Sequence, residues 1–248
     1  MSGGSTTMKM LDMAITDLEC RLGLKPGQGT GSGKGKQPKA KKNNNKNNNN
    51  NNNKDKNKNK NNGPSPEELA AQPEICKLQF KVGVITKVWN HPNADRLYCE
   101  EIDVGEETGP RQIASGLRPH FSLEEMMGQR LLVVANLKAK NLVKFKSHGM
   151  VLCAASKTDD GIETVEFVEP PEGASPGDTV SFEGLPQPIP LAASQVEKKK
   201  VFVNCLEGMV TDGEGIATWN GHRFEVKNSS GETQGYCRAK TICGGAMR

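Results

Sequence analysis

The sequence predicts a mainly β protein: a small barrel of short strands, then a smaller β unit, carried behind a low-complexity tail. Three observations predict it. From residue 76 onward apolar positions recur at period two, in short runs. Pairs of Pro, Gly and Asn separate those runs as turns. One capped helical stretch falls between the third and fourth strands, as in a small closed barrel.

The elements follow in chain order. Residues 8–24 carry Met8, Leu11, Ile15, Leu18 and Leu22 at spacings of three and four, an apolar seam ended by Gly23 and Pro26. The segment 1–24 is therefore read as helical, either docking a partner or lying on its own chain. Residues 25–74 form a linker. Within it, 43–62 holds fourteen Asn, five Lys and one Asp, too polar to offset the entropy of ordering. At its end, 64–74 has Ser65 and Pro66 placed to start a short helix.

Phe80, Val82, Val84, Thr86 and Val88 alternate as a half-buried strand before the turn His91-Pro92-Asn93-Ala94-Asp95. Strands are expected at 97–104 and 111–114, and Ser122 starts a helix running to Met127. Further strands are expected at 130–136, 150–156, 164–168 and 178–182. After a linker at 184–200, strands are read at 201–206, 216–219, 223–226 and 236–242. Asn220-Gly221 makes the middle pair a hairpin with a type I′ turn. This places a barrel unit at 75–183 and a second β unit at 184–248.

Charge is unevenly spread. Residues 25–62 hold eleven Lys against one Asp, and residues 1–24 hold two basic and three acidic side chains. With a net charge of +4, residues 63–248 are left five negative charges in excess. A basic segment on a mildly acidic body suits a polyanionic partner. The seven Cys, at 20, 76, 99, 153, 205, 237 and 243, lack C-x-x-C spacing. They read as reduced thiols of a cytoplasmic protein. No signal peptide and no membrane span are expected.

No catalytic group stands out. His91, His120, His148 and His222 lie in four separate segments, with no metal motif and no phosphate loop. The chain is read as non-enzymatic, with no cofactor or metal. The informative segment is 138–148, KAKNLVKFKSH, with Lys138, Lys140, Lys144 and Lys146 and no acid. Such a loop suits phosphate contacts. Phe145 and His148 either stack on an unpaired base or, for Phe145, fill the core. Lys198-Lys199-Lys200 is a second basic run, read as a solvated linker.

These residues carry a resemblance. VGVITKVWNHPNADRLYCEEIDVG at 82–105 is similar to the start of the tRNA-binding domain of the endothelial-monocyte-activating polypeptide II family. Ser115-Gly116-Leu117, Asn136-Leu137-Lys138 and Ser147-His148-Gly149-Met150 match its SGL, NLK and S-x-G-M segments. The likeness continues through Pro176-Gly177-Asp178 into GIATWNGHRFEVK and YCRAK.

The resemblance implies an OB-fold over about 76–183, with 184–248 packed on it like a second protomer, so that the body is monomeric. It implies tRNA as ligand and an aminoacyl-tRNA synthetase or multisynthetase assembly as partner, reached through the N-terminal helix. Asn136, Lys138, Lys140, Lys144, Lys146, Ser147 and His148 are the expected RNA-binding residues. One departure stands out: the family's Met-Arg-Gly-Val lead into S-x-G-M reads Leu142-Val143-Lys144-Phe145 here. Lys144 or Lys146 is then expected to replace the Arg at phosphate. A released cytokine-like fragment and a general single-strand binder are the alternatives.

Overall fold

The computed structural model describes residues 65–248 apart from Asp159 and Ser229. The expected helix at 8–24 and the tail at 25–62 lie outside the described residues. The described chain begins with α1 (Pro66–Ala71), started by a reciprocal Ser65–Glu68 capping box. A single 3₁₀ turn, Glu74–Lys77, follows.

A meander of three antiparallel strands comes next, β1 (Phe80–Asn90), β2 (Tyr98–Asp103) and β3 (Arg111–Ser115). A second capping box, Ser122 with Glu125, starts α2 (Leu123–Met126) where a helix was expected. β4 (Arg130–Val134) returns along the other side of β1, from Val84↔Arg130 to Phe80↔Val134. A register shift between Ile85 and Lys87 lets one half of β1 pair with β4 while its far half extends along β2.

Residues 138–148, expected as a loop, instead form a hairpin of β5 (Lys140–Leu142) and β6 (Phe145–Ser147). β7 (Met150–Val151) then pairs with β4. The ring closes where His148 N donates to Gln112 O (2.8 Å) and Ala114 N donates to Ser147 Oγ (3.1 Å). Hydrogen bonds therefore run β1–β2–β3, across 147–148 into β7, and through β4 back to β1. Ile85, Ile102, Ile113, Leu131, Val133 and Val151 fill this ring, all below 9% exposed. The chain is mainly β and antiparallel, and its ring has the partly open, five-membered form of an OB-fold.

β8 (Cys153–Lys157) and β9 (Glu163–Phe167) form a hairpin beyond the ring, and β10 (Thr179–Phe182) returns to β1. The second unit begins inside the expected linker with α3 (Ala193–Lys198). It is followed by α4 (Val201–Leu206). α4 corrects the strand expected at those residues. The Val-Phe-Val run favours a strand by propensity alone. However, the residues it buries are Val201 and Cys205, four apart, which is one face of a helix.

β11 (Met209–Thr211), β12 (Ala217–Trp219) and β13 (His222–Lys227) continue the sheet, and β14 (Thr233–Tyr236) pairs with β13. Asn220 (φ 49°) and Gly221 (φ 85°) supply the two positive φ angles of the type I′ turn. The strand expected at 236–242 is replaced by a ladder ending at Tyr236. Arg238 alone makes isolated bridges, to Glu169 and Ile216. The last element, β15 (Ala246–Met247), was not anticipated.

Two seams join the units. β10 pairs with β13 from Thr179↔Lys227 to Phe182↔Phe224, and β8 pairs with β15 through Ala155↔Ala246. Between them runs one core, centred on Phe80, Phe182 and Phe224. Their ring centroids lie 4.8–6.1 Å apart, edge to face. Cys76, Cys99, Cys153, Cys205 and Cys237 are buried free thiols, and burial pushes the Cys76 and Cys99 thiols up to about 11.

Candidate nucleic-acid interface

The lysine hairpin is built by alternation. Leu142 and Phe145 pair across β5 and β6, while Asn141 pairs with Lys146 on the other face. The Phe145 ring meets Trp89 and His91, each 6.1 Å away and edge to face. Asn93 N donates to His91 Nδ1 (3.1 Å), so the proton sits on Nε2, which faces Leu142 O at 3.2 Å. This pins the hairpin against the end of β1. The Phe145 ring is thus half-buried in a small aromatic cluster outside the two apolar cores.

The other face, with Lys146, is left to solvent. Lys138, Lys140, Lys144 and His148 are exposed as well, Lys140 from the hairpin's inner register. Lys144 sits at the hairpin tip with φ 72°, beside Val143 at φ 47°. Both are left-handed, as a type I′ turn demands, at positions where Gly or Asn fits without strain. The Arg-Gly pair of the resemblance would place its Gly at the position of Lys144. Here that position carries an exposed ammonium instead.

Two expected contact residues turn inward. Asn136 is buried. Its Oδ1 accepts from Gln79 N (2.8 Å), and its Nδ2 donates to Lys77 O (2.9 Å) and Leu191 O (3.0 Å). Ser147 is buried as well, accepting from Ala114 N and donating to Gly149 O (3.1 Å). Both side chains spend their hydrogen bonds on the backbone around them. Gly149 fits because a Cβ there would meet Ile113 and Val133 at 3.1 Å each.

Sequence reasoning missed the support beneath the hairpin. Arg111 donates through its terminal nitrogen to Ala135 O (2.6 Å) and His148 O (3.0 Å), tying β3 to both ends of the basic segment. Its remaining donors hold Glu106 at 2.7 and 2.8 Å. The Arg111 hydrogen bonds, with Lys81 also at 3.0 Å, draw the Glu106 carboxyl down to about 2. An open cavity of about 490 Å³ lies here, lined by Arg111, Gln112 and His148. No short-range signal marks Arg111, whose partners lie up to 37 residues away.

Comparison with known proteins fits this geometry. Residues 80–179 match the family model described as "Putative tRNA binding domain". The tRNA-aminoacylation cofactor arc1 of Schizosaccharomyces pombe is 38% identical over 183 residues, covering 72% of this chain and 39% of that protein. A probable methionine--tRNA ligase of Oryza sativa subsp. japonica is 38% identical over 175 residues, covering 70% of this chain and 20% of that protein. The chain thus spans well under half the length of these two curated relatives. The crystal structure of the C-terminal domain of Plasmodium vivax p43 is 32% identical with a TM-score of 0.60, covering 70% of this chain and 98% of that one. With a whole solved domain matched in sequence and in fold, the chain belongs to the endothelial-monocyte-activating polypeptide II-like family of tRNA-binding domains.

Proposed function

We propose that the protein is a non-catalytic, cytoplasmic factor that captures tRNA and presents it to an aminoacyl-tRNA synthetase. The observation that carries this reading is the hairpin at 140–147. It holds exposed lysines on one face of an otherwise acidic body, inside the matched domain. Lys138, Lys140, Lys144 and Lys146 contact backbone phosphates, and His148 borders the cavity beside them. Asn136 and Ser147 hold these groups in register. Folded RNA is recognised largely through its shape and backbone, which suits charges set on a stiff hairpin rather than an open aromatic platform.

The basic tail at 25–62 adds non-specific attraction. Segment 1–24 recruits the synthetase, so tethering raises the local tRNA concentration. The two units form one monomeric body. General single-strand binding is the weaker reading, because the half-buried Phe145 ring is engaged edge to face with Trp89 and His91 and does not stand open as a stacking platform.

The test is tRNA binding by the full chain and by its Lys140→Ala, Lys144→Ala, Lys146→Ala variant across a salt series. Each lost phosphate contact lowers the magnitude of the salt slope by roughly 0.7–0.9, so the triple variant should lose about 2–3. An unchanged slope would remove the hairpin from the interface.

A further inference from the structure

The basic run Lys198-Lys199-Lys200 has the sequence of a solvated linker, but the fold gives it a fixed place. Val196 and Val201 on either side are buried, at 2% and 0% exposure, so these lysines occupy a short corner between two anchors. The corner turns at Lys200, whose φ is 53°, and Asn204 Nδ2 caps it by donating to Lys199 O (3.3 Å).

Its approach is fixed too. Gln72 exchanges two hydrogen bonds with the backbone of Ile189, at 2.8 and 3.1 Å. Leu191 N donates to Lys77 O (2.9 Å), and Leu191 O accepts from Asn136. The buried amide of Asn136 thus fastens 191 to the strand end that leads into the lysine hairpin.

One contact joins the two basic segments directly. Lys138 Nζ lies 2.7 Å from Glu197 Oε2, with both side chains at least half exposed. Lys198, Lys199 and Lys200 follow Glu197 immediately and are exposed. No ion pair among the described residues engages them. An exposed pair such as Lys138–Glu197 is worth little in water, so a phosphate can displace it readily. Charges held on a fixed corner also lose less freedom on binding than charges on a free linker.

We propose that Lys198, Lys199 and Lys200 form a second phosphate-contacting site, supplied by the C-terminal unit and continuous through Lys138 with the hairpin. The ligand is the sugar–phosphate backbone of one folded RNA that reaches across both units. Glu197 is the counter-charge that keeps Lys138 in place when RNA is absent. This rests on the hairpin reading of the proposed function and extends it to a surface that the barrel alone does not possess.

The test uses the full chain and tRNA, with affinity measured across salt and folding checked by thermal melting. Four variants are compared: the Lys140/144/146→Ala hairpin triple, a Lys198/199/200→Ala corner triple, the same corner triple to Arg, and Glu197→Gln. The corner Ala triple should lower the magnitude of the salt slope by about 2–3, the Arg triple should restore it, and Glu197→Gln should tighten binding. If the hairpin triple flattens the slope and the corner Ala triple does not, the second site is refuted while the proposed function stands. If the Ala and Arg corner triples weaken binding equally, the corner acts through structure and not charge, and the proposal also fails. If neither triple changes the slope, the hairpin reading is overturned and the second site with it.

Discussion

At Asn136 a single amide satisfies three backbone groups from 77, 79 and 191. Its type was read from the sequence, whereas its work was not, because every partner is at least 55 residues away in the chain. Asn136→Ala leaves Leu191 O and Gln79 N buried without partners, while Lys77 O keeps its bond from Leu191 N. This should cost about 2–4 kcal/mol in a denaturant titration.

Glu100 is the other residue whose burial sets a measurable property. It is 0% exposed. Ser115 donates to its Oε1, and its Oε2 has no partner. Burial pushes its carboxyl up to about 8, against an opposing pull from Ser115. Between about 4.5 and 8 the unfolded chain has released this proton and the folded chain has kept it. Stability therefore falls as pH rises through that window, by up to about 1.4 kcal/mol per pH unit. Glu100→Gln cannot ionise, so its stability relative to the parent should grow from pH 5 to pH 8. Urea midpoints of both proteins at the two ends check this. A constant difference would mean that Glu100 is ionised in the folded state.

The elements that were legible are those specified locally. Period-two alternation marked β1, Ser65 and Ser122 marked the starts of α1 and α2, and Asn220-Gly221 marked the turn between β12 and β13. α4 was misread because Val201, Phe202 and Val203 are strong strand formers, while its helical face is defined only by what Val201 and Cys205 pack against. The β5–β6 hairpin was missed for the opposite reason. Its turn residues, Val143 and Lys144, have left-handed backbones without being Gly or Asn, so the usual signal is absent. That conformation costs a β-branched residue free energy. Val143→Asn should therefore raise stability by about 0.5–1 kcal/mol and leave tRNA affinity within twofold. A melting temperature below that of the parent would show that the Val143 side chain packs well enough to outweigh its backbone.

Over the whole molecule, the expected boundary at 183/184 divides the sequence more than it divides the structure. Phe224 from the second unit lies 5.3 Å from Phe80 and 4.8 Å from Phe182, both in the first unit. Phe224→Ala should cost about 3–5 kcal/mol. Calorimetry should still show one transition, since both units share the lost contacts. Two separate transitions would show that the units fold independently. Neither seam was readable from the sequence, because Thr179↔Lys227 and Ala155↔Ala246 are pairings that no local pattern encodes.

The β8–β15 seam has a consequence for synthesis. β8 is complete at Lys157, yet its partner is Ala246–Met247, and Cys153 exchanges both of its backbone hydrogen bonds with Arg248. While the intervening chain is still on the ribosome, one edge of β8 remains unpaired beside an apolar core. A nascent chain in that state is open to chaperones and to pairing with its neighbours on the same message. The lysine face at 140–147 has by then already emerged. Polyanions crowded around the translating ribosome can therefore reach it before the fold behind it is closed.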